Sequence, residues 1–157
     1  MYRVSIFCLL IMFLFLSTPT HAQKSLSIPD ALENAVKEKE PKWTLNSFMI
    51  RKNQEENYTY FRWRRGKQEI GVHVNEYAEN IKISETSLLT AAFRERIPLK
   101  DIGDEAYLIM NNPNYKPDMY AVVFRKGKVR VSIEADEEDI ARRFARHLAD
   151  ALPPSGN

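Results

Sequence analysis

Tyrosine, arginine and histidine alternate along one segment at a spacing that suits molecular recognition. Two runs there read as the strands of a hairpin, Tyr58–Arg64 and Lys67–Tyr77, joined at Arg65-Gly66. Successive side chains of an extended chain point to opposite faces, so Phe61, Trp63, Ile70 and Val72 share one face. The other face displays Tyr58, Tyr60, Arg62, Arg64, Glu69, His73, Asn75 and Tyr77. Phenol rings stack with little loss of entropy, and a guanidinium grips carboxylate or phosphate through its planar fork. Tyr58, Tyr60, Arg62, Arg64 and His73 are therefore the candidate binding residues. The same pattern also fits an ordinary solvated sheet face, where cross-strand tyrosine and arginine only stabilise the sheet. His73 beside a nearby carboxylate gives a second chemical reading, acid–base work in a small hydrolase.

Other chemistries find little footing. Apart from His21, the histidines are His73 and His147, with no ligand-spaced partners, whereas a zinc site needs three or four clustered ligands. No Gly-x-Ser-x-Gly or Ser-x-x-Lys motif is present, and five glycines in 157 residues form no phosphate-cradling loop. Asp101, Asp104 and Glu105 place three carboxylates in five residues, but in no calcium-loop spacing, and Gly103-Asp104 reads as a turn into a strand. The expectation is no metal, no cofactor and no catalytic residue. Lysine plus arginine (23) nearly balances aspartate plus glutamate (21), so no strong field points to nucleic acid.

The first twenty-two residues read as a signal peptide. A basic start (Met1-Tyr2-Arg3) leads into an apolar run and then to Thr20 and Ala22, spaced as at a signal-peptidase site. The run, Val4–Leu16, is about thirteen residues, short of the ~20 that span a bilayer, which favours cleavage over retention as an anchor. Cleavage would also remove Cys8, the only cysteine, so the exported chain would rest on its core without disulfides. Periplasm or extracellular space is the expected location, with residues 23–157 as a single α+β domain.

The elements that must position the recognition face follow in order. A helix is expected over Ser25–Glu40, capped by Ser27, with Leu32, Ala35 and Val36 as its apolar stripe. A strand follows at Trp43–Arg51, then a turn at Asn53–Asn57. In the first hairpin a turn at Arg65-Gly66 pairs Phe61 with Ile70, Thr59 with Val72 and Arg62 with Glu69. Ser84 caps an expected helix that buries Leu88, Leu89, Ala92 and Phe93 and ends at Pro98. Glu105–Met110 is a strand. Met119–Arg125 and Lys128–Glu134 form a second hairpin at Lys126-Gly127, pairing Phe124 with Val129, Val122 with Val131 and Tyr120 with Ile133. Asp136 caps the last helix, whose stripe is Ile140, Phe144, Leu148 and Leu152, with Glu138–Arg142 and Asp139–Arg143 as i, i+4 pairs. Helix, strand and hairpin thus occur twice, and the tips Trp63–Lys67 and Phe124–Lys128 match. This predicts an antiparallel sheet with helices packed on one side, a candidate duplicated αβββ unit plus a C-terminal helix.

Residues 102–152 carry Gly103-Asp104-Glu105-Ala106-Tyr107 opening a strand, a basic-Gly hairpin tip at Arg125-Lys126-Gly127-Lys128, and an alanine-rich helix from Ala141 to Leu152. This run resembles small exported bacterial α+β domains of unknown function. The resemblance implies an exported α+β module of binding or accessory role; the partner expected for the domain is another envelope or secreted protein, or a small ligand held between sheet and helices. It implies no catalytic residue.

Overall fold

Alternate large apolar side chains along three extended runs, 56–65, 68–77 and 129–135, share one core with the last helix. The computed structural model describes residues 26–52, 56–79, 82–83, 93–111 and 119–154. The expected leader, the Asn53–Glu55 part of the first turn and the start of the helix expected from Ser84 lie outside these residues. The strands are β1 (Thr44–Lys52), β2 (Glu56–Arg65), β3 (Gln68–Tyr77), β4 (Phe93–Pro98), β5 (Glu105–Asn111), β6 (Tyr120–Lys126) and β7 (Val129–Ala135). They form one antiparallel sheet in the order β1-β2-β3-β7-β6-β5-β4. Two meanders, β1–β3 and β4–β7, are thus joined where β3 meets β7. With helices α1 (Ile28–Lys39) and α2 (Glu138–Ala151), the described residues form an α+β fold.

Both helices contribute to one core against one face of the sheet. Leu32 and Val36 come from α1, Ile140, Phe144 and Leu148 from α2, and Phe61, Trp63, Val72, Phe124 and Ile133 from the strands. Phe61 stacks on Trp63 at 4.8 Å, and Phe144 meets Trp43 edge-on at 5.3 Å. Ala141, Ala145 and Ala149 are buried on α2, and such small residues let it approach β6 and β7 closely. Ser27 caps α1 as expected, its hydroxyl accepting from the Asp30 N–H. Lys126 donates to the carbonyls of Ala149 (2.7 Å) and Leu152 (2.9 Å), placing a cation on the orphan acceptors at the end of α2.

Both hairpins form, with registers two residues from those expected. Their turns are Gly66-Lys67 and Gly127-Lys128, so Phe61 faces Val72, Trp63 faces Ile70 and Phe124 faces Val131. The reason is the backbone: Gly66 and Gly127 have φ of +61° and +59°, and a two-residue hairpin turn of this kind puts glycine at its first position. A shift of two keeps every side chain on its face, so the segregation survives while the partners change. Glu69 accordingly pairs with Arg64 and not with Arg62.

Three further expectations are corrected. Phe93–Pro98, expected as the end of a helix, is strand β4 on the sheet edge, where pairing with β5 lets Ile97 pack on the core and outweighs local helical preference. Pro98 stands at the strand's end, where a missing N–H is tolerated. The cap of α2 is Glu137 and not Asp136, with no side-chain cap bond. Glu138–Arg142 pairs at 2.6 Å, but Arg143 turns from Asp139 to Glu40, the half-in residue at the end of α1, which His147 also approaches at 3.4 Å. In β1 a bulge between Leu45 and Ser47 resets the alternation, so Leu45 and Phe48 share the helix side.

Gly103 is held at φ +60°, and a Cβ there would overlap the carbonyl oxygen of Arg125. Beside it, Asp104 Oδ2 accepts from the N–H of Gly127 (2.7 Å) and from Arg125 Nη1 (3.1 Å), so the turn aspartate ties the tip of the second hairpin. Gly66 has the same φ but open space around it. Gly103→Ala should therefore cost about 3 kcal/mol and Gly66→Ala about 1 kcal/mol, read as the difference between their denaturant unfolding curves.

Candidate functional site

The even residues of β2 and the odd residues of β3 leave the sheet on the side opposite the helices, because their neighbours Thr59, Phe61, Trp63, Ile70, Val72 and Val74 are buried in the core. Tyr58, Tyr60, Arg62, Arg64 and His73 all stand on this open side. The register sets Tyr60 against His73, Arg62 against Gly71 and Tyr58 against Asn75.

Four of the five form one connected group. The Tyr58 hydroxyl lies 2.7 Å from His73 Nδ1, and the Tyr60 ring tilts over the imidazole with centroids 4.7 Å apart. Arg62 Nε donates to the Tyr60 hydroxyl at 3.0 Å, and its guanidinium carbon lies 5.7 Å from that ring's centre. A Cβ at Gly71 would sit 3.4 Å from the Tyr60 hydroxyl and 3.8 Å from Glu134 Oε2, ordinary contact distances, so this group packs closely over Gly71 without requiring glycine there. Arg64 is set apart, held by its ion pair with Glu69 at the hairpin tip.

The structure adds a residue that the pattern of β2 and β3 did not point to. Glu134 on β7 faces Gly71, and its Oε2 lies 3.8 Å from His73 Nε2. That is longer than a hydrogen bond, and it is an ion pair only when the imidazole is protonated. Tyr58, His73 and Glu134 thus stand in line across three strands. Burial raises the pKa of the Tyr58 hydroxyl, helped by Tyr60, Glu134 and Glu56 and opposed by Arg51 on β1. In the imidazole tautomer that carries its proton on Nε2, toward Glu134, the Tyr58 hydroxyl donates to Nδ1, and with the proton on Nδ1 the roles reverse. The arrangement can orient a histidine and present phenol and guanidinium groups side by side.

Elsewhere the same side of the sheet is occupied. Ile83, in the connection from β3 to β4, packs with Ile109, Ala121 and Val123, and its N–H donates to Glu105 Oε2 at 3.1 Å. Arg125 and Arg130 oppose each other on β6 and β7, a like-charge pair that would be unfavourable alone. Asp104 at 3.1 Å and Glu105 at 3.7 Å offset Arg125, while Tyr77 and Glu56 favour the charge of Arg130, whose pKa burial lowers. Asp104 and Glu105, two of the three carboxylates weighed as a cation site, are thus turned toward Arg125. Among the described residues no group of three or more histidine, cysteine, aspartate or glutamate side chains is arranged to hold a metal ion. No helix among them is long and apolar enough to cross a membrane. Comparison of the chain with protein-family models, with curated proteins and with solved structures finds no match.

The raised Tyr58 pKa has a direction in pH. The folded state holds this proton more tightly than the unfolded chain, so the stabilisation is present at neutral pH and lost as pH rises through the folded value. Spectrophotometric titration should show Tyr58 ionising above the ordinary tyrosine value of about 10, and Tyr58→Phe should remove one hydroxyl from that late fraction.

Proposed function

We propose that the protein is an exported binding module, working in the periplasm or outside the cell, that recognises its partner through the open side of β2 and β3. The observation that supports this most is the connected group of Tyr60, Arg62, His73 and Tyr58, standing on a rigid hairpin away from the helices. Rigid tyrosine rings and an arginine lose little entropy on binding, and these residue types dominate recognition hot spots. Arg62 suits a carboxylate or phosphate of the partner, and the Tyr60 ring beside it suits a planar or apolar group. The partner is another envelope or secreted protein, or a small ligand. Residues 23–157 act as one unit in this proposal. In this proposal β1–β3 and β5–β7 derive from a duplicated unit, with β4 outside the repeat, a reading supported by the matching glycine turns of the two hairpins.

A second reading draws on the line Tyr58–His73–Glu134. An imidazole oriented on one nitrogen by a hydroxyl and facing a carboxylate with the other has the parts of a general base. On that reading the protein is a small periplasmic hydrolase using His73.

The two readings separate experimentally. For a binding module, Tyr60→Ala combined with Arg62→Ala abolishes capture of the partner from an envelope extract and shifts Tm by no more than a few degrees, while no hydrolytic substrate panel shows turnover. Unaltered capture by the double variant overturns the binding face. Turnover with a bell-shaped pH profile that is lost in His73→Ala would establish the hydrolase instead.

A further inference from the structure

Phe48, Met49 and Ile50 are consecutive on β1 and are 46%, 37% and 45% exposed. Strand β1 ends the sheet, with β2 on one side and no strand among the described residues on the other. Its outer backbone groups form an open template for another strand. Edges are commonly blunted by charge, proline or a bulge. Here the bulge lies at one end, between Leu45 and Ser47, and the charges Arg51 and Lys52 lie at the other, which leaves the apolar middle uncovered. The opposite edge, β4, ends in a proline and carries Arg96 exposed.

We propose that this edge pairs with β1 of a second copy of the chain, antiparallel about a twofold axis through Met49. Residues directly opposite one another must lie on the same side of a sheet. Phe48 and Ile50 lie on the helix side, opposite Phe61 and Thr59, and Met49 lies on the open side, opposite Tyr60. A twofold at Met49 sets Phe48 against the second copy's Ile50 on the helix side, and Met49 against Met49 on the open side. Arg51 then faces Ser47, and Lys52 falls beside the bulge at Asn46, so no cation meets a cation. Moving the axis to Phe48 would put Met49 against Ser47 and Ile50 against Asn46. Moving it to Ile50 would put Phe48 against Lys52 and Met49 against Arg51. A parallel pairing in register would stack Arg51 and Lys52 on themselves. The strand is therefore self-complementary in one register.

The axis stands perpendicular to the sheet, so the open sides of both copies face the same way. The strand order through the junction becomes β2-β1-β1-β2, and the tyrosine–arginine groups of the two copies flank the axis. The pairing holds whether or not those groups bind a partner.

The test uses protein purified after expression of the whole gene. Sedimentation equilibrium should show a monomer–dimer equilibrium that shifts toward dimer as concentration rises. Met49→Lys and Met49→Glu should each be monomeric, because each sets like charges against themselves at the axis, and each should keep the wild-type far-UV spectrum. Mixing the two variants should restore a dimer. Wild-type protein that stays monomeric at every concentration overturns the proposal, as does a dimer that both variants leave intact. A mixture that fails to dimerise overturns the Met49 register. A different polypeptide found paired along β1, as crosslinking from Lys52 would show, overturns the choice of a second copy.

Discussion

The fold depends on the antiparallel pairing of β3 with β7. Each meander can form its own hairpins from neighbouring sequence, but only this contact makes one sheet of them. It sets Val72 against Ile133 and Val74 against Val131, all fully buried, and so joins two half-cores beneath the helices. Contacts this distant in sequence carry a loop-closure cost that local hairpins do not. Burial of β-branched side chains on both strands offsets that cost. On the opposite side of the sheet the same pairing brings Glu134 to Gly71 and His73. One set of backbone bonds therefore supports both the core and the charge arrangement of the candidate site.

Much of this was legible in local pattern. Period-two alternation marked both hairpins, and it told which side chains of β2 and β3 share a face, so Tyr58, Tyr60, Arg62, Arg64 and His73 lie on one side of the sheet, Arg64 apart from the other four. The cap at Ser27 and the stripe of Ile140, Phe144, Leu148 and Leu152 were equally local and equally clear. The hairpin registers were not. Apolar matching alone is nearly indifferent to a slip of two residues, and the positive φ of Gly66 and Gly127 decides it. That slip exchanges Arg62 for Arg64 as the partner of Glu69, which leaves Arg62 to Tyr60.

What could not be read depends on the order of strands. No local signal told that β7 would lie next to β3, so Glu134 was missed although it belongs to a plainly alternating polar row with Arg130 and Ser132. The segment Phe93–Pro98 departs from the expected helix for a related reason. Its helix-like spacing is a weak preference, and an edge position beside β5 is a tertiary fact. The same holds for Arg143, whose i, i+4 acid was visible in the sequence while its actual partner, Glu40, is 103 residues away.

That last distance bears on how the molecule is put together in time. Among the described elements helix α1 is made first and α2 last, and the two helices pack on each other, with Glu40 closing on Arg143 and His147. Until the final helix exists, the apolar stripe of the first has only part of its resting place. The docking of these two helices on each other is therefore a late assembly step. A chain stopped short of α2 would leave Leu32 and Val36 without that cover, and loss of α2 would loosen α1.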